Sequence, residues 1–349
     1  MSAGEIVPAA AGAPVWQPGV DLAALETAEA MRAAADAIIA ASTRPNTAAA
    51  FAQDWRHWTR FCVLTGADPL EVSADALVVF AGWLAREPGD GRYAAPATIE
   101  RRITGVLHHW RHAGRTVPAR TSVRARQEVR RYAQRLAEQG IPVGRGQAPF
   151  LTVAQLRAIC SACPPGATGA RDRALVLIGF GIAARRSELA GLDADDIALA
   201  RDEAGELLGL RVRVRTSKTG QGRQVAIARG SSALTCPARA WQDWQRIGQV
   251  DAGPAFRRVT RHDAVQRAGL SPASAGEVVR RAGERAGVPE LSGHSLRAGL
   301  ATAARLAGHD IVAIARIGGW SPGSKELMRY LRIADEWSHA DNATIGIGL

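Results

Sequence analysis

The sequence predicts a mainly α protein with a small β element, of the α+β class, built as two domains. Three observations predict it. Most of the chain carries apolar residues at helical spacing. One stretch changes period: Leu210, Val212 and Val214 alternate with Arg211, Arg213 and Arg215, the pattern of a half-buried strand. And 349 residues, 47% of them hydrophobic, exceed what one typical domain holds.

The elements follow in order. Residues 1–20 are rich in Ala, Gly and Pro and read as a flexible segment. Asp21 to Ser42 is Ala-rich and helical, with Leu22, Leu25, Met31 and Ile38 as sparse apolar positions. Asn46-Thr47 can cap a helix running through Leu64, with Phe51, Trp55, Trp58, Phe61 and Cys62 on its apolar face. Ser73 to Leu84 is a short apolar helix, and the loop "REPGDGRYAAP" follows it. In "ATIERRITGVLHHWRHAG" the buried stripe is Ile99, Ile103, Val106, Leu107 and Trp110, which leaves Arg101, Arg102, His109 and Arg111 elsewhere on the helix. Thr121 to Gln139 is a further basic helix. Residues 21–139 therefore read as one all-α domain.

Residues 140–150, "GIPVGRGQAPF", have almost no apolar periodicity and read as the linker. A second domain spans residues 151–349. Helices open near Thr152 and near Arg171. The alternating strand then leads into the turn "TSKTGQG" and a return strand "RQVAIA", so Lys218 tips a β-hairpin. Beyond it the chain reads as short helices to the end.

Formal net charge is +11 and the sequence pI is about 10.7, a balance that points to nucleic acid before membrane. Between Pro96 and Arg135 there are ten Arg against two Glu. The N-terminus has no signal-peptide pattern and no apolar run approaches a membrane span. Cys62, Cys160, Cys163 and Cys236 are too few for a disulfide framework in a chain this long. Cys160-x-x-Cys163 lacks a second pair and is followed by Pro164-Pro165, so it reads as two thiols at a helix end, not a metal site. The expected compartment is the reducing cytoplasm, with association to the nucleoid when DNA is bound.

Of 44 Lys plus Arg, only Lys218 and Lys325 are lysine. Lysine can give up and retake a proton where arginine cannot, so Lys218 is a candidate proton donor. Phosphodiester cleavage without a metal needs cations for the developing charge, a nucleophile, and a proton for the departing 5′-oxygen. "GHSLRAG" offers His294 and Arg297 on one helical face. "AARRSELAGL" offers Arg185, Arg186 and Glu188 at a helix start, where backbone N–H groups favour anions. "IGGWSPGSKELMRYLR" offers Trp320 and Tyr330. Of the three tyrosines, Tyr93 lies in a Gly/Pro loop and Tyr132 in a basic helix; Tyr330 alone lies near the other candidates. Taken singly, each of these residues has an ordinary structural explanation; their order and spacing together do not.

That combination resembles the tyrosine recombinases, the phage integrase family, over roughly residues 40–340. "RDRALVLIGFGIAARRSELAGLDADDI" resembles the family's first box, in which the arginine two before Ser-Glu-Leu is catalytic, here Arg185, with Glu188 as its acidic residue. "RTSKTG" resembles the hairpin with the catalytic lysine, here Lys218. "GHSLRAG" resembles the second box and yields His294 and Arg297. "GGW" with a tyrosine ten residues on resembles the last box, with Trp320 and the nucleophile Tyr330. Ala183-Ala184-Arg185-Arg186 departs from the common Gly-Leu-Arg-x; the Ser-Glu-Leu anchor selects Arg185. Among the branches, the Cre-like recombinases are similar in using tryptophan where many members have histidine, and in the Thr/Ser-Lys-Thr hairpin.

The resemblance implies a SAM-like all-α core-binding domain and a recombinase catalytic domain that form a C-shaped clamp on double-stranded DNA. It implies cleavage and rejoining through a 3′-phosphotyrosine without metal, ATP or cofactor. It also implies a homotetramer on two DNA sites, with the apolar tail "ATIGIGL" docking on a neighbouring protomer. The helices beginning near Thr47 and Thr98 are expected at the major groove, with Arg101 and Arg102 as contacts. Arg280 and Arg281, on a helix from Ser274 to Ala286, are expected to meet bases or phosphates. Three other readings share parts of the pattern: a silent DNA-binding protein of this fold, a type IB topoisomerase, and a basic helical regulator.

Overall fold

A computed structural model describes Met31 and residues 45–86, 93–142, 149–215, 222–288 and 290–335. The expected N-terminal segment, the helix over 21–42 apart from Met31, Lys218 and the tail beyond Asp335 lie outside the described residues. The chain divides into two compact units, Met1–Gly146 and Gln147–Leu349.

The first unit is helical: α1 (Pro45–Thr65), α2 (Ala74–Leu84), α3 (Pro96–His112), a 3₁₀ turn over Ala119–Ser122, and α4 (Val123–Glu138). Trp58 is fully buried at its centre, edge-on to Phe80 at 5.1 Å and to Trp110 at 5.5 Å. Such aromatic pairs add roughly 0.5–1.5 kcal/mol beyond the area they bury. Both indole N–H groups donate to the Pro69 carbonyl, at 2.9 and 2.8 Å, so neither tryptophan leaves a buried donor unpaired. The Ser73 hydroxyl caps α2 by accepting from the Ala76 N–H. Helix α1 begins at Pro45, so Thr47 is exposed inside its first turn and is not the cap the sequence suggested.

The basic residues of α3 have partners the helical wheel does not reveal. Asp54 on α1 is fully buried, and Arg101 Nη1 donates to its Oδ2 at 2.5 Å. Arg102 Nη2 meets His57 Nε2 at 3.1 Å. Gly105 permits this approach, because a Cβ there would lie 2.7 Å from the Asp54 Cβ. Arg101 and Arg102, expected as contacts to DNA, also have partners at the α1–α3 seam; burial lowers the Arg102 pKa despite the nearby Asp54 charge.

The second unit packs α5 (Val153–Ser161), α6 (Gly166–Gly181), α7 (Arg186–Ala190), α8 (Pro237–Gly248), α9 (Pro272–Arg285), α10 (Gly293–Leu306), α11 (Ile311–Gly318) and α12 (Lys325–Asp335) with two small sheets. Thr152 forms a capping box with Gln155 at the start of α5, as "LTVAQ" suggests. The alternating segment is β2 (Leu207–Val214). It pairs antiparallel with β3 (Arg223–Ala228), Val214 opposite Arg223.

The expectation that only helices follow the hairpin is corrected. A two-stranded sheet, β4 (Arg257–Val259) with β5 (Val265–Gly269), lies between α8 and α9. A third strand, β1 (Ile197–Arg201), also joins the first sheet on the free side of β2. β4 is three residues long and β5 has no apolar alternation, so neither carries a period-two signal. Helix α6 likewise starts five residues before Arg171. Its first turn is capped from the β4–β5 turn, where the Asp263 carboxylate accepts from the Ala167 and Thr168 N–H groups at 2.7 and 2.8 Å. A cap drawn from 95 positions away leaves no local mark in the sequence.

Cys160 is buried and Cys163 partly so; both are free thiols, and burial pushes them up to about 12 and about 11 respectively. Among the described residues no helix is long and apolar enough to cross a membrane. Ala183, Ala298, Ala301, Ile314, Trp320, Leu327, Tyr330 and Leu331 form an apolar cluster apart from the main core of this unit, and two of the sequence-predicted site residues belong to it.

Arg101→Ala leaves the buried Asp54 carboxylate without its cation. Loss of about 1–3 kcal/mol of stability is expected for a buried charged group deprived of its hydrogen bond, read as a lowered urea midpoint by circular dichroism. Asp54→Asn in the same chain recovers part of the loss.

Candidate active site

Arg185 sits at the N-cap of α7 in extended backbone conformation. Its backbone N–H donates to Glu188 Oε2 at 3.0 Å and its Nη1 to Glu188 Oε1 at 2.7 Å. Glu188 is buried, 5% exposed. A second arginine closes on it: Arg223 Nη2 donates to Glu188 Oε2 at 2.9 Å. Burial pushes Glu188 up, but the hydrogen bond and charge of Arg223, then the bonds from Arg185, outweigh it and hold its pKa below the ordinary carboxylate value.

Arg223 was not among the residues singled out from sequence. It also donates through Nε to the Ile317 carbonyl at 2.8 Å and through Nη2 to the Ile182 carbonyl at 3.0 Å. One side chain thus ties the end of α6, the carboxylate of α7 and the end of α11 to the first residue of β3. A signal did exist: Arg223 takes the inward register of a strand whose other inward positions are Val225 and Ile227.

Arg297, on α10, is 1% exposed. Its Nη1 donates to the carbonyls of Ala183 at 2.8 Å and Gly318 at 2.6 Å. Its guanidinium carbon lies 3.6 Å from the centre of the Trp320 ring, a cation–π stack. Burial, then the charge of Arg185, lowers its pKa to about 10, so it stays charged at neutral pH. The Trp320 indole fits only because position 318 is glycine and Gly319 turns left-handed, at φ 63°, to end α11. Ala183 also has positive φ, 48°. It stands where the common first box has glycine, and its methyl is fully buried in the cluster beneath Trp320.

Tyr330, on α12, is 6% exposed, with its ring 6.0 Å from Trp320 and tilted 64° to it. Its hydroxyl donates to Glu326 Oε1 at 3.5 Å, and Arg297 Nε donates to the same oxygen at 3.3 Å. Burial first, then the Glu326 charge, raises the Tyr330 pKa. Glu326 is the second residue that sequence reasoning missed; its signal was the spacing of one helical turn before Tyr330. His294 lies in the first turn of α10, exposed at one side. Desolvation and then the charge of Arg186 lower its pKa.

Arg297, Trp320 and Tyr330 are thus linked directly or through Glu326, while Arg185 and Glu188 form a neighbouring group that Arg223 anchors at Ile182 and Ile317, next to the Ala183 and Gly318 that Arg297 holds; His294 is within electrostatic reach of Arg185, Arg297 and Glu326. Lys218 lies outside the described residues, although β2 and β3, which frame it, are described. Arg280 and Arg281 stand on α9, away from this group's hydrogen bonds. Arg280 donates to Glu277 at 2.8 and 2.6 Å and pairs with Glu284, and Arg281 donates to Glu277 at 2.7 Å.

The model of the Phage integrase family matches residues 149–336, more than half of the chain. This chain belongs to the phage integrase family. It is a site-specific tyrosine recombinase. A relative, an integrase/recombinase xerD homolog of Selenomonas ruminantium, is 30% identical over 278 residues, 78% of the recombinase and 77% of that protein. Two solved structures share the fold at 14% identity. A lambda integrase dimer bound to a COC′ core site has TM-score 0.54, covering 89% of this chain and 96% of that one. XerH bound to a palindromic difH substrate, in a post-cleavage complex, has TM-score 0.53, covering 82% and 76%.

Glu188→Gln removes the negative charge between two arginines. Because the folded pKa of Glu188 is lowered, its contribution is complete above its ordinary value of 4.5 and is lost as pH falls through the folded value. The variant is expected to be less stable by about 1–3 kcal/mol at neutral pH. In urea titrations the gap from wild type narrows as pH drops below 4.5.

Proposed function

We propose that Tyr330 attacks a DNA backbone phosphate and forms a 3′-phosphotyrosine, while Arg185, Arg297, His294 and Trp320 bind the phosphate and stabilise its developing charge. The observation that carries this reading is a buried donor near the Tyr330 ring. Arg297 Nη2 finds no acceptor among the described residues. Buried donors are rarely left so, and the non-bridging oxygens of a phosphodiester are acceptors of the right charge. Glu188 orients Arg185 from within the protein. Lys218 protonates the leaving 5′-oxygen, a step arginine cannot perform. The phosphotyrosine conserves the energy of the broken bond, so the 5′-hydroxyl of a partner strand reverses the step without ATP.

The recombinase acts on DNA as two domains, the first a core-binding domain and the second catalytic. Recombination requires four active sites on two duplexes, and a homotetramer in which the C-terminal tail docks on a neighbour supplies them. The tail's apolar ending "ATIGIGL" supports that reading, and the net charge of +11 supports DNA as the substrate. Thr47, Arg101 and Arg102 in the first domain and Arg280 and Arg281 in the second are candidate DNA contacts. For these four arginines, DNA phosphates compete with the carboxylates and the histidine that already hold them. The compartment is the cytoplasm.

Two experiments test this. Tyr330→Phe is expected to bind a nicked suicide duplex with unchanged affinity and to yield no SDS-resistant adduct; an adduct from Tyr330→Phe moves the nucleophile elsewhere. Lys218→Arg keeps the charge and loses the dissociable proton, so cleavage should fall roughly 10²–10⁴-fold. A substrate with sulfur as the 5′-bridging atom, whose thiolate leaves unprotonated, should restore cleavage by Lys218→Arg and not by Tyr330→Phe.

A further inference from the structure

A tyrosine nucleophile must lose its proton as it attacks. A phenol is a poor nucleophile at neutral pH, and this one is poorer than usual, because burial and then Glu326 raise its pKa. Of the groups assigned above, Arg185 and Arg297 carry no lone pair to accept it, and the Trp320 N–H is a donor only. His294 makes no side-chain hydrogen bond to Tyr330 among the described residues.

The geometry points to Glu326 as the general base for Tyr330, an inference that rests on the reading of Tyr330 as nucleophile. Glu326 Oε1 is the acceptor of the Tyr330 hydroxyl, at 3.5 Å. That distance is long for a hydrogen bond, as catalytic bonds are in the absence of substrate. The two residues share one face of α12, four positions apart, so the helix itself holds the carboxylate beside the phenol. A third group orients the base, as activated nucleophiles require: Arg297 Nε donates to the same Oε1 at 3.3 Å. The order Arg297, Glu326, Tyr330 therefore runs from an immobile guanidinium to the attacking oxygen.

The proton moves from the Tyr330 hydroxyl to Glu326 Oε1 as the phenolic oxygen bonds to phosphorus. The bond from phosphorus to the 5′-oxygen breaks, and Lys218 protonates that oxygen. In the rejoining step the 5′-hydroxyl attacks and gives its proton back to the neutral Lys218 amine, the phosphotyrosine bond breaks, and protonated Glu326 returns its proton to the phenolate. No metal or other co-reactant enters the balance.

The charged surroundings suit this role. Arg297 and His294 face Glu326 from α10, Arg185 from the start of α7, Trp320 from the turn after α11, and Tyr330 from its own helix. Burial pushes Glu326 up, but Arg297 and then Trp320 hold its pKa below the ordinary value, so the carboxylate is ready to accept a proton at neutral pH. An incoming phosphodiester shares Arg297 and adds a negative charge nearby, which moves the carboxyl back towards neutrality. The base strengthens only when DNA is in the site.

Electrostatics alone makes the opposite prediction, which allows a clean test. Glu326 disfavours the phenolate and repels phosphate, so a merely electrostatic Glu326 predicts faster cleavage and tighter DNA binding by Glu326→Gln. A general base predicts slower cleavage. The measurement is single-turnover cleavage of the nicked suicide duplex by the full chain, from about pH 5 to about pH 9. Glu326→Gln should cleave roughly 10²–10⁴-fold more slowly at neutral pH. Its rate should climb about tenfold per pH unit towards the tyrosine pKa, without the acid limb of the wild type. Difluorotyrosine at position 330 ionises more easily and should shrink the gap between the wild type and Glu326→Gln to less than about tenfold.

Cleavage by Glu326→Gln at or above the wild-type rate overturns the inference and makes the carboxylate a competing anion. Slower cleavage that keeps the wild-type pH profile also overturns it, reducing Glu326 to a positioning residue. Either result leaves the nucleophile standing, because that reading fails only by an adduct from Tyr330→Phe.

Discussion

The buried guanidinium of Arg297 is the constraint on which the rest of the site depends. A charge with 1% exposure must be compensated on every side. The carbonyls of Ala183 and Gly318, the Trp320 ring and the Glu326 carboxylate supply that compensation. These groups come from the turn after α6, the end of α11, the turn that follows it and the start of α12. Satisfying one arginine therefore assembles four separate segments, and leaves Nη2 without a hydrogen-bond partner among the described residues.

A second buried ion network runs parallel to it. Glu188 lies between Arg185 and Arg223, and Arg223 reaches the same two turns that Arg297 reaches, through Ile182 and Ile317. The pair of arginines thus brackets the ends of α6 and α11 from both sides. Ala183 shows the cost of this closure. Left-handed backbone at a residue with a Cβ costs about 1–2 kcal/mol, offset here by burial of a methyl worth about 0.8 kcal/mol and by the Arg297 bond to its carbonyl. Strain persists where surrounding contacts over-determine it, which is a property of functional sites.

The first unit uses arginine differently. Asp54 draws Arg101 inward, and His57 meets Arg102, so part of the basic face of α3 serves the α1–α3 seam before it serves any ligand. Aromatic faces beside it are held in the same seam: Phe51 packs on His108 and Trp55 stacks on His109. Count of positive charge and availability of positive charge are therefore separate quantities in this chain, as they are on α9, where Glu277 and Glu284 engage Arg280 and Arg281.

By itself the sequence determined the residue types, their order and most of the helices. Period 3.6 and period 2 report which face of a local element is buried, and "AARRSELAGL", "GHSLRAG" and "GGW" with its tyrosine carry the side chains that phosphate chemistry needs. It left silent whatever depends on a partner far along the chain. β1 needed the free edge of β2, and α6 needed a cap from Asp263. Arg101 needed Asp54, 47 positions away, and Arg297 needed Ala183, 114 positions away. Arg223 and Glu326 were overlooked for the same reason. Their positions are ordinary in one dimension, and only tertiary packing turns an inward arginine into a brace and a helical glutamate into the neighbour of Tyr330. Periodicity encodes that a face is buried; which distant group it meets is decided by burial of charge, which forces the few compatible donors and acceptors together.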